Sequence, residues 1–164
     1  MAANDILILD GGNLSTSPTQ TYQTEANATA INYGEPVKLK TAGSRYVIPL
    51  ADAEPVVGTT TAVVGIAMSN STQTASADGK VQVFVPLPGM VYLIAAKSAA
   101  AVDTQAEYDA LVNSPVLFDL TAGTYTIDTA STASTDGLVI APLDITRYPG
   151  KVAFTLRQSA TINN

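Results

Sequence analysis

The side chains available for chemistry in this chain are carboxylates, lysines, arginines, tyrosines and hydroxyls, because its 164 residues include no His, no Cys and no Trp. Catalysis near neutral pH most often uses His as a base or Cys as a nucleophile. Their absence excludes hydrolase triads and the common zinc sites. Two carboxylates held close together can still hydrolyse a glycosidic bond. No acidic pair stands out for that: Asp52 and Glu54 flank Ala53 just before Pro55, a turn context. Calcium would need Asp or Asn at alternate positions of a loop. Asp128, Asp136 and Asp144 are too scattered for that and read as turn caps. The chain is therefore expected to be no enzyme and to carry no cofactor and no metal.

Three Asn-X-Ser/Thr triplets, at Asn13, Asn27 and Asn70, arise readily in a chain this rich in Asn, Ser and Thr and are assigned no function. Gly11-Gly12 lacks the spacing of a phosphate loop and reads as a hinge that lets Ile6 to Leu9 point away from the core. The tyrosines are dispersed, most of them as core or strand-face residues. Tyr22 and Tyr33 stand in a polar context where an aromatic ring suits an interface anchor.

Composition narrows the role of the elements that hold these residues. Charged residues make up only 13% of the chain against 46% hydrophobic ones, about half the usual charged share of a soluble domain. Covering Ala, Thr and Val with protein costs little, whereas stripping water from Lys or Glu costs several kcal/mol when pairing is imperfect. Such a surface suits an assembly subunit. The net charge of −6 repels phosphate backbones and anionic membranes, so neither nucleic acid nor membrane is expected as a partner. Arg147, Lys151 and Arg157 gather near one end of the chain but read as a solvated face. The longest apolar stretch, Met90 to Ala96, falls far short of the roughly 20 residues of a membrane span. The opening MAANDILILDGG has no basic residue and only four consecutive apolar ones, which predicts cytoplasmic synthesis without processing.

Along the chain, residues 1–35 form a Thr/Ser/Gln/Asn-rich tract around Ile6-Leu7-Ile8-Leu9, too polar to fold alone. They are expected to be an extended N-terminal arm, ordered against its own core or a neighbour. Residues 36–164 are expected to be a β-rich core domain. Strand-like runs follow at Pro36 to Lys40, Arg45 to Pro49, Ala62 to Met68, Lys80 to Val85 and Met90 to Ile94, then at Val116 to Phe118, Thr124 to Ile127, Leu138 to Ile140 and Val152 to Leu156. In the fourth run Val81, Val83 and Val85 share a face, and Asp78-Gly79 turns into it. Thr104-Gln105-Ala106-Glu107 spells a capping box that opens one helix. The helix should end near Asn113, because Pro115 disfavours helical geometry at Ser114. Strand spacing near ten residues predicts an all-β fold, a β-sandwich or barrel with one short helix and the extended N-terminal arm.

The order of these features resembles the head decoration (cement) proteins of tailed bacteriophages. The resemblance covers about residues 30–95: Glu35-Pro36-Val37-Lys38-Leu39, Val63-Val64-Gly65-Ile66-Ala67, the turn Asp78-Gly79 into Lys80 to Val85, and Gly89-Met90-Val91-Tyr92. It implies a structural virion protein, made in the host cytoplasm, that binds the outer surface of a phage head and stabilises contacts between major capsid proteins. It further implies a homotrimer, with a dimer as the alternative, and an arm from Ala2 to Leu9, with the tract to Tyr33, that adds a strand to a shell protein. The residues so assigned to capsid or partner binding are Ile6, Leu7, Ile8, Leu9, Tyr22 and Tyr33. A segment from Ser98 to Thr135 is extra relative to the smallest members of that family. The rival reading is a tail- or fibre-associated carbohydrate-binding module, against which stand the absence of Trp and an aromatic content of 6%.

Overall fold

The structure is a computed structural model and describes residues 6–10, 18–58, 62–87 and 89–161. The expected hinge at Gly11-Gly12, the sequon at Asn13, the arm's first residues and Pro88 lie outside them. Two antiparallel sheets carry the fold. The larger is built from β1 (Leu7–Asp10), β7 (Val91–Ala95), β11 (Lys151–Leu156), β10 (Leu138–Ile140), β8 (Pro115–Thr121) and β9 (Thr124–Asp128), in that order. The smaller runs β2 (Thr19–Thr24), β6 (Gly79–Phe84), β5 (Val63–Ala67), β3 (Pro36–Leu39) and β4 (Val47–Pro49). No helix among the described residues is long and apolar enough to cross a membrane.

The all-β expectation holds as a sandwich, and the barrel alternative does not. In the larger sheet a single parallel bridge, Ala96 to Ile127, draws the far edge towards β7, and in the smaller one Gln23 meets Tyr46 in the same way. Both sheets curl, yet neither bridge extends into a ladder, so neither sheet closes.

Most strands form on apolar residues, and the face each side chain takes decides which core it feeds. The large core takes Tyr92, Ile94, Phe118, Tyr125, Val152 and Phe154 from one sheet and Val63, Ile66 and Phe84 from the other. Its rings pack edge to face around Phe118, with centroids 5.4 Å from Phe154 and 6.0 Å from Tyr125. A second, smaller core on the opposite face of the five-stranded sheet holds Ile31, Val37, Val47, Val64, Ala67, Val81 and Val83. Strand β5 serves both cores by means of a register shift opposite Val37 and Lys38. This bulge lets Val63 and Ile66 face one core and Val64 and Ala67 the other. Gly65 sits in the bulge, where a Cβ would lie 2.1 Å from the Phe84 carbonyl oxygen and 2.6 Å from Val83 Cγ1. Val81 and Val83 share a face as expected, but β6 ends at Phe84, and Val85 lies beyond it.

The polar tract before residue 36 belongs to this architecture wherever it is described. Strand β2 pairs with β6 over six residues, from Thr19 opposite Phe84 to Thr24 opposite Gly79. Its sequence, TQTYQT, carries one apolar side chain, so hydrophobic alternation gave no sign of it. Beyond it, residues 26–33 zip onto the other polar loop, 68–78. The Ile31 N–H donates to Ser71 Oγ, the Ser71 N–H returns to the Ile31 carbonyl, and the Asn27 N–H donates to the Thr74 carbonyl, at 2.8 to 2.9 Å. Two hydrophilic segments thereby satisfy each other's backbone groups and cover the small core with Ile31.

The single α-helix, α1 (Gln105–Leu111), starts on the expected capping box, with the Glu107 N–H donating to Thr104 Oγ1 at 3.3 Å and the Thr104 N–H to Glu107 Oε2 at 3.2 Å. It stops at Leu111, two residues before the expected end, because Val112 is already extended and Asn113 takes a left-handed φ of 68° on the way into β8. Its one fully buried side chain is Tyr108. The Tyr108 hydroxyl donates to the Ala141 carbonyl and accepts from the Ala153 N–H, both at 2.9 Å. Burial pushes that phenol up to about 12. The segment from Ser98 to Thr135 is thus integral to the sandwich, supplying the helix and two strands of the larger sheet.

Candidate functional site

Carboxylates are the first chemistry to place. Asp52 and Glu54 diverge: Asp52 Oδ1 accepts the Leu120 N–H at 2.9 Å, while both Glu54 carboxylate oxygens lie 2.6 Å from Lys38 Nζ. Each ties its loop to a different strand, and they face no common point. Asp128, Asp136 and Asp144 cap separate turns, accepting from the N–H groups of Ala130, Ala133 and Thr146. Among the described residues no three carboxylates gather so that they could hold a metal ion.

The tightest charged cluster was not legible in the sequence. Lys97 Nζ lies 2.7 Å from Asp119 Oδ1 and 2.8 Å from Asp128 Oδ2, above a cleft of about 120 Å³ that Asp52 and Ser131 also line. Hydrogen bonds that the ammonium donates to Asp119 and Asp128 hold it protonated well above its ordinary range, and Lys97 holds both carboxyls below theirs. The cluster stitches the end of β7 to β8 and β9.

What remains is surface. Strand β1 ends the larger sheet, antiparallel to β7 with Leu7 opposite Leu93 and Ile8 opposite Tyr92, and no described strand lies beyond it. Ile6, just before it, is buried in the large core, so this one of the expected contact residues turns inward and does not point away. The next three stay in solvent: Leu7 is 53% exposed, Ile8 42% and Leu9 37%. Ile6 and Ile8 line a small apolar crevice with Ile66, Met68, Phe84 and Tyr92. An uncovered strand edge with apolar side chains is an open template for a further strand.

The two tyrosines are not brought onto β1. Tyr22 is half-buried against the small core, and its hydroxyl donates to Gln20 Oε1 at 2.9 Å. Tyr33 is exposed, and its N–H donates to Asn70 Oδ1 at 2.8 Å. It directly precedes Gly34, whose N–H reaches the Ala67 carbonyl at 2.8 Å, so Tyr33 stands near the end of β5, where Met68 borders the crevice. Met68 and Leu87, both exposed, were missed, since an isolated Met or Leu at a strand end carries no pattern of its own.

A second surface feature is polar. Thr21 of β2, Lys80, Val81 and Gln82 of β6, and Ser69, Asn70 and Thr72 of the loop between β5 and β6 line an open trough of about 570 Å³. Compared with protein-family models, curated proteins and solved structures, the chain matches none.

Proposed function

We propose that this protein is a structural capsid-decoration subunit that attaches to the exterior of a phage head and braces neighbouring major capsid proteins. The observation that carries the reading is β1, an apolar strand at the rim of the larger sheet that pairs with β7 on one side and with no described strand on the other. A strand from a shell protein laid along β1 would pair with its free backbone groups and cover Leu7, Ile8 and Leu9 in one step. The low charge content favours the broad contacts that such bracing requires. A homotrimer engaging three equivalent shell positions would multiply a modest single contact by avidity.

A neutral-sugar module is less well supported, because no aromatic ring lines the polar trough and so none is offered for stacking on a sugar face. The test is co-sedimentation of the purified chain with expanded, undecorated heads of the same virus, alongside light scattering of the free chain. Saturable attachment, little changed by raised salt, and a trimeric mass are the expected results. A chain that stays monomeric and leaves the heads bare overturns the proposal.

A further inference from the structure

We infer that the trough on the five-stranded sheet binds a sugar that carries a carboxylate. Its volume, about 570 Å³, lies within the roughly 300–1,000 Å³ of small-ligand sites. Its floor is the outward face of β6, where Lys80 and Gln82 alternate with the buried Val81 and Val83, and Thr21 stands directly opposite Gln82 on β2. Its wall is the loop after β5. Ser69 Oγ accepts the Gln82 N–H at 3.1 Å and Thr72 Oγ1 accepts the Lys80 N–H at 3.0 Å, which pins that wall to the strand. The trough is therefore held in shape before any ligand arrives, and preorganisation is what lets a few polar contacts suffice.

Its chemistry is one-sided. No carboxylate lines it, in a chain where acidic residues outnumber basic ones by 14 to 8. Lys38, Lys40, Arg45 and Lys97 all have acidic partners; Lys80, Arg147, Lys151 and Arg157 make no ion pair among the described residues, and of these four Lys80 is the one that lines the trough, where it is exposed. An unpaired ammonium on an acid-free floor reverses the sign of the local field and marks where an anion would rest. Asn70 Oδ1 is taken by the Tyr33 N–H, which leaves the Asn70 amide nitrogen as a donor. The Gln82 amide and the Thr21 hydroxyl are exposed alongside it. One cation with three neutral hydrogen-bonding groups around it matches one carboxylate surrounded by ring hydroxyls. A polyanion such as nucleic acid would meet the repulsion of the whole chain at −6, which a single carboxylate largely escapes.

The trough and β1 lie in different sheets, so this inference stands independently of capsid attachment. The test is a titration of the isotope-labelled full chain with galacturonic acid, a monosaccharide with one carboxylate, followed by amide chemical shifts, with its methyl ester as the uncharged twin. Shifts confined to Thr21, residues 69–72 and residues 80–82, with a dissociation constant of order 1 mM, are expected. Lys80→Gln should weaken binding about tenfold or more and Lys80→Arg should retain it, both with the wild-type melting temperature, as the loss or preservation of a charge-assisted contact on an exposed side chain predicts. No shifts at about 10 mM acid, equal binding of the ester, or full binding by Lys80→Gln would each overturn the inference.

Discussion

Replacing Leu7 and Leu9 together by Ser should separate attachment from folding. The two side chains leave about nine-tenths of one leucine exposed between them. Fully burying a leucine is worth about 1.5–3 kcal/mol, so covering what remains by a shell strand should contribute about that much per site. At 1.4 kcal/mol per tenfold, the double substitution should weaken each contact by about 10- to 150-fold, and a trimer using three contacts by more. The same surface is already in water in the free chain, so its melting temperature should move by no more than a few degrees. Ile6, one residue upstream and buried in the large core, should behave in the opposite sense. Ile6→Ala should cost about 2–5 kcal/mol of stability, or roughly 2–4 °C per kcal/mol for a chain of this size. Quantitative co-sedimentation with undecorated heads and thermal melts of the three proteins supply the readouts. Undiminished attachment of the Leu7→Ser/Leu9→Ser protein would falsify the role given to β1.

Three further outcomes test the framework that presents this edge. Tyr108→Phe leaves the Ala153 N–H and the Ala141 carbonyl without their buried hydroxyl partner, and chemical denaturation should show a loss of about 1–3 kcal/mol. Gly65→Ala places a methyl group against the Phe84 carbonyl oxygen and should cost about 3 kcal/mol or prevent folding, read as lost soluble yield or a lowered melting temperature. The Asp119 and Asp128 carboxyls are held below their ordinary values by Lys97, so their contribution is present above the unfolded carboxyl pKa of about 3.9 and fades as pH falls through the lower folded values. Asp119→Asn should flatten the acid limb of a stability-against-pH curve, and an unchanged slope would remove this cluster from the account.

Legibility followed the physical signal at each element. The capping box at Thr104 and Glu107 was readable because its partners are three residues apart and need nothing from the rest of the chain. Strands β5, β6, β7 and β11 were readable from apolar runs that must be buried. Strand β2 was not, since its order comes from backbone pairing with β6 and its side chains are mostly Thr and Gln. The charged cluster was equally hidden, because Lys97 meets carboxylates 22 and 31 positions further along the chain. Ile6 to Leu9 stood out as a group, yet nothing in four adjacent apolar residues says which will be covered.

From its amino acids alone, this protein is a β-rich chain poor in charge, without the side chains of common acid–base or thiol chemistry and with one capped helix, because composition, alternation and local hydrogen bonding act over a few residues. Tertiary structure alone decides that, among the described residues, β1 finishes the larger sheet, Ile6 is swallowed while Leu7 to Leu9 face water, and Lys80 makes no ion pair. Those outcomes depend on which distant strands arrive beside one another. Pairing across long sequence separations is set by the fit of the whole core and is written in no single segment.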